Sequence, residues 1–157
     1  MASGTTLQKQ FVQKRARALA TVYLTRRSDV SIHEPEADSG VDFMVTIHPK
    51  KKSGLRLFAV RARGIWSEIA TGNAPNENAV PTIKKLLKDG PFPFPVVVFF
   101  FTMENDQGWY CWASEPLVND GNADLLAHAS VSFQPLDDLA VDNIIMRVDR
   151  WYDASFA

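Results

Sequence analysis

Cysteine is nearly absent from this chain of 157 residues, and the single Cys111 excludes any intrachain disulfide. Cys111 stands between Tyr110 and Trp112 in a strand-like run, which suits a small core residue. No basic neighbour is placed in sequence to draw out a thiolate. Histidine is also scarce, and His33, His48 and His128 have no metal-ligand spacing. There is no glycine-rich phosphate loop and no serine-nucleophile motif. Long apolar runs are missing as well. The run PVVVFFF, Pro95 to Phe101, is too short to cross a membrane. With no signal-peptide pattern ahead of the first helical stretch, the expectation is a cytoplasmic protein that does not enter the membrane. An excess of charge of one sign is lacking too: the net charge of −1 rules out a global basic field.

What is present is an ordinary globular composition, 46% apolar and 22% charged, on a length that suits one domain over residues 1–157. The charge is uneven along the chain. Lys9, Lys14, Arg15, Arg17, Arg26 and Arg27 load the N-terminal part, while Asp137, Asp138, Asp142, Asp149 and Asp153 load the C-terminal part. A folded molecule polarised in this way can present a basic face without being basic overall.

Apolar Leu7, Phe11, Ala18, Leu19, Val22 and Tyr23 recur at helical spacing, predicting a helix from Leu7 to Arg27 with that stripe inward. Thr5 or Thr6 is placed to cap its start. Val30 to His33 is a short strand candidate. Val41, Phe43, Val45 and Ile47 alternate with polar or larger residues, the period of a strand. Lys50, Lys51 and Lys52 then form a basic hairpin tip, and Leu55 to Arg63 returns as a second strand closed by Gly64. Pro81 to Asp89 reads as a helix. Val96 to Thr102 reads as a strand buried on both faces, and Trp109 to Ala113 as its hairpin partner. Glu115, Pro116, Asp120 and Asp124 read as loop and turn. Leu139 to Tyr152 is the final helix, with Asp137 or Asp138 near its start. These elements add up to a mixed α/β (α+β) fold around a central sheet.

Side chains two apart on a strand share a face, so Arg61 and Arg63 point the same way, and a regular hairpin brings Asp42 beside them. The stretches GVDFMV (Gly40 to Val45) and FAVRARG (Phe58 to Gly64), preceded by a helix, resemble the PD-(D/E)XK superfamily of restriction endonucleases and junction resolvases. The later proline-led apolar strand and the hairpin containing YCW are similar to a bacterial branch of it whose function is unknown. The resemblance implies a restriction-endonuclease-like core, a mixed sheet flanked by helices. In active members the aspartate and a second acid hold a divalent metal, and a lysine positions or activates water. Asp42 falls on the aspartate, Arg61 on the second acid (or the glutamine that can replace it) and Arg63 on the lysine, with Gln10 or Gln13 in place of the helix acid.

A guanidinium cannot coordinate a cation and stays protonated, so this version of the motif is degenerate. The implied function is a catalytically degenerate nuclease-like module that binds nucleic acid or a protein partner, in a setting such as bacterial defence or DNA processing. It needs no cofactor. Lys50, Lys51, Lys52, Arg61, Arg63 and Trp66 are its candidate binding residues: cations for phosphate, the indole for a base. One alternative is an active magnesium-dependent DNA endonuclease whose acid has moved, with Asp42 and Glu68 as ligands and Glu36 and Asp38 also near in sequence. A second alternative is an immunity-type or scaffold protein that uses its acidic C-terminal half against a basic partner. A purely structural salt bridge among Asp42, Arg61 and Arg63 stands beside all three.

Overall fold

The computed structural model describes residues 6–36, 39–48, 54–65, 84–86, 88, 90–127 and 133–156. Helix α1 spans Thr6–Thr25, and strands β1 (Val30–His33), β2 (Phe43–Ile47) and β3 (Arg56–Ile65) follow. Each is antiparallel to the one before it in the sheet. Strand β4 (Val96–Thr102) then lies parallel to β3. Strands β5 (Gly108–Asn119) and β6 (Asn122–Ala127) continue antiparallel, and β7 (Gln134–Leu136) pairs with the start of β5. Among the described residues the sheet has seven strands in the order β1-β2-β3-β4-β5-β6, with β7 beside β5. Helix α2, Asp138–Phe156, closes the chain. The expected α/β class with a mixed sheet and flanking helices is what is found. Among the described residues, no helix is long and apolar enough to cross a membrane.

The sheet separates two cores, as strand alternation requires. Phe43, Phe58, Val60, Val97, Phe99 and Phe101 meet α1 and α2 on one face. Ala59, Val98, Phe100, Cys111 and Ala113 lie on the other, with Leu86. Strand β4 is buried along its whole length because both faces are covered. Burial also pushes the Cys111 thiol up to about 12, so it is inert packing rather than a nucleophile.

Helix α1 buries only part of the stripe its apolar spacing predicts: Leu19 and Tyr23 pack, partly buried, against the core. Ala16, Ala20 and Leu24 face the sheet, whereas Leu7, Phe11, Ala18 and Val22 are exposed. The reason is close approach. A Cβ on Gly64 would come within 2.5 Å of Val12 Cγ1 and 3.1 Å of the Val12 carbonyl oxygen. Alanines on the helix and glycine on the strand let the backbones come near. The glycine that ends FAVRARG is therefore a packing requirement.

A second correction concerns the hairpin after β4. Glu115 and Pro116 lie within β5 and Asp124 within β6, and only Asp120 occupies the turn, with Gly121, both at positive φ. Beyond Ser114, β5 pairs with β6 alone, and such an edge tolerates a proline. Helix α2 starts as expected. Asp137 Oδ1 accepts the Ala140 N–H at 2.7 Å, a side-chain cap on an otherwise orphan donor. The central helix expected over 81–89 is described only at 84–86 and 88, which are helical.

Candidate functional site

The register of β2 on β3 pairs Phe43 with Val60 and Met44 with Ala59, which leaves Asp42 next to Arg61. Asp42 continues the ladder in an unusual way. Its N–H donates to the Val60 carbonyl at 2.8 Å, and its own Oδ2 accepts the Ala62 N–H at 2.8 Å. A side-chain carboxylate thus stands where a strand carbonyl would. At 6% exposure it is almost wholly buried. A buried carboxylate needs partners, and α1 supplies them. Gln13 Nε2 donates to Asp42 Oδ1 at 3.2 Å and to the Ala62 carbonyl at 3.1 Å. Arg17 Nε lies 3.8 Å from Oδ1 and also pairs with Glu34 at 3.0 Å. Arg61 Nη1 reaches Oδ2 at 3.4 Å.

Arg63 is different. Its Nε is buried and, among the described residues, has no hydrogen-bond partner. Burial lowers its pKa first, repulsion from Arg61 lowers it further, and the pull of Asp42 does not offset the two. The guanidinium stays a cation in an environment short of negative charge.

The opposite end of β3 gives a reference. Arg56 is 3% exposed, and its Nη1 meets Asp149 Oδ1 at 2.6 Å and Asp153 Oδ1 at 2.8 Å, both on α2. It also donates to the Asp149 carbonyl at 2.9 Å and lies over the Phe156 ring. Burial pulls its pKa down, but hydrogen bonds to Asp153 and Asp149 reverse this and leave it raised.

Of the residues singled out from sequence, Gln13, Asp42 and Arg61 meet through direct contacts, and Arg63 feels the charges of Asp42 and Arg61. Gln10 and Glu36 are exposed. Asp38, Lys50, Lys51, Lys52, Trp66 and Glu68 lie outside the described residues. Arg17 and the Ala62 N–H were missed. Arg17 had a signal, since it lies four residues after Gln13 and so on the same side of the helix.

The donor set does not fit a divalent metal. Among the described residues one carboxylate, Asp42, faces the site, already engaged by an N–H, an amide and two guanidiniums. Among the described residues no three of His, Cys, Asp and Glu gather as metal ligands. Magnesium and calcium seek several oxygens and are repelled by neighbouring guanidiniums. The arrangement is instead suited to an anion, with Arg17, Arg61 and Arg63 around one shared carboxylate. No protein-family model, curated protein or solved structure matches this chain.

Proposed function

We propose that this protein is a nuclease-like module with a degenerate metal site that binds nucleic acid through backbone phosphate held by Arg61 and Arg63. The observation that carries this reading is the imbalance at Arg63. Asp42 is already engaged by Ala62, Gln13, Arg17 and Arg61, so the Arg63 guanidinium has positive charge to spare. A phosphate oxygen would supply the missing acceptor.

The resemblance of GVDFMV and FAVRARG to the PD-(D/E)XK superfamily supports the same reading. So does the meeting of helix glutamine, strand aspartate and next-strand arginine in the order in which that superfamily places its helix acid, aspartate and second acid. Arginine in place of the metal ligand and the lysine makes a phosphate-holding role the chemical remainder of such a site: positive charge stays, and metal-activated water goes.

Binding of a labelled oligonucleotide, measured with magnesium and then with a chelator over a salt series, tests the proposal. Wild type should bind equally in both, with affinity falling as salt rises. Arg61→Ala with Arg63→Ala should weaken binding at least about tenfold, a loss of roughly 1.4 kcal/mol. Asp42→Asn should tighten it, because a competing negative charge is removed. Unchanged affinity in the folded double mutant would overturn the assignment, and chelator-sensitive cleavage would restore the metal reading.

A further inference from the structure

We infer that the sheet face opposite the two long helices carries a recognition site for the phosphorylated end of an unpaired nucleic-acid strand, centred on Arg63 and Trp109. The inference rests on the nucleic-acid reading above and narrows its ligand. Among the described residues, three buried side-chain polar atoms lack a hydrogen-bond partner: Arg56 Nε, Arg63 Nε and Trp109 Nε1. The Arg56 guanidinium is otherwise held by Asp149 and Asp153. The other two have no such explanation, and they belong together. Arg63 pairs with Phe100 across β3 and β4, and Phe100 pairs with Trp109 across β4 and β5. The two donors therefore arise from one cross-strand row, on the two strands that flank Phe100, and cross-strand partners share a face.

Both groups only donate. Native proteins rarely leave buried donors unpaired, so an acceptor from outside the chain is the natural complement. A phosphate offers several acceptors on one small group, and its charge also answers the repulsion between Arg63 and Arg61. The surroundings narrow the ligand further. Phe92, Phe94, Trp109 and Phe133 are half-buried around this second core. Phe92 and Phe94 lie 6.0 Å apart by ring centroid, and Phe133 meets Phe100 edge-on at 5.4 Å. The Trp109 and Phe133 rings at this row match a base with its face free, which a duplex withholds and an unpaired strand presents. A recessed donor pair is reached by a terminal phosphate, which has chain on one side only, more readily than by one in mid-strand.

The test uses fluorescence anisotropy with one short single strand carrying a 5′-phosphate, a 3′-phosphate or hydroxyls at both ends, and with its duplex. Wild type should prefer one phosphorylated single strand about tenfold over the hydroxyl-ended strand, the gain expected of one or two charge-assisted hydrogen bonds. Trp109→Phe keeps the ring and removes the N–H, so it should shrink that preference several-fold. Arg63→Lys keeps the charge but not the guanidinium Nε and should act in the same direction. Thermal melting of both variants separates binding from folding. Equal binding of all ends, or an undiminished preference in folded Trp109→Phe, would overturn the inference while leaving the proposed function standing. Loss of all oligonucleotide binding in wild type would overturn both.

Discussion

The two ends of β3 treat their arginines in opposite ways. At one end Arg56 is buried against α2 with two carboxylates and an aromatic ring. At the other, Arg61 and Arg63 share Asp42 with Arg17, and Arg63 is left with an unpaired buried Nε. The same residue type on the same strand thus serves two purposes. A buried cation supplied with more negative charge than its own fixes one element on another, as Arg56 does between β3 and α2. A cation undersupplied with it is costly to the fold, and such a cost is commonly retained at sites that serve a ligand.

The largest effect should come from breaking the balanced end. Arg56→Ala removes a buried guanidinium that ties β3 to Asp149 and Asp153 on α2 and empties a buried space, so urea unfolding should show a loss of about 3 kcal/mol, in the range for breaking a buried pair from one side. Asp42→Ala should cost somewhat less, about 2 kcal/mol, through the orphaned Ala62 N–H and the unneutralised arginines. The contrast is sharpest at Arg63. Arg63→Met removes a lone buried donor and keeps most of the volume. It should leave stability unchanged or raise it by up to about 1 kcal/mol, and a loss as large as that of Arg56→Ala would erase the comparison.

The smallest effect extends the contrast to the surface, where Arg27 is balanced by Asp29 and Asp142. Hydrogen bonding by Arg27 is the main reason that the Asp29 pKa is lowered from its ordinary 3.8, against the opposing effect of burial. A carboxylate with a depressed folded pKa stabilises the fold above its unfolded value. That contribution is lost as pH falls from about 3.8 through the folded pKa. Because the pair is partly exposed, solvent and salt reduce it, and an acid melting series should show only a shallow fall that Asp29→Asn abolishes.

The neighbourhood of Asp42 and Arg61 was legible in the sequence because strand alternation and hairpin pairing are local rules. A carboxylate after Gly40-Val41 and arginines two apart on the next strand leave few other arrangements. The same rules found the buried β4 and the capped α2. They held only in part on α1, where Leu19 and Tyr23 pack inward but Leu7, Phe11, Ala18 and Val22 do not, because apolar residues lie on more than one side and spacing alone could not choose a face. They failed on β5 and β6, where proline and acids looked like loop residues until pairing at the sheet's edge accommodated them.

By itself the sequence determined the α/β class, the strand that is buried on both faces, and a pair of arginines two apart on one strand with an aspartate on its neighbour. Those properties are written in residue type and period. Only the tertiary structure decided that Asp42 holds the Ala62 N–H and two guanidiniums, that Gly64 admits α1, and that Arg56 is satisfied by α2 while Arg63 and Trp109 are not. The physical reason is that hydrogen bonds and burial are properties of pairs brought together from distant parts of the chain. A guanidinium has the same chemistry at every position, and its role is set by how many acceptors the fold places around it.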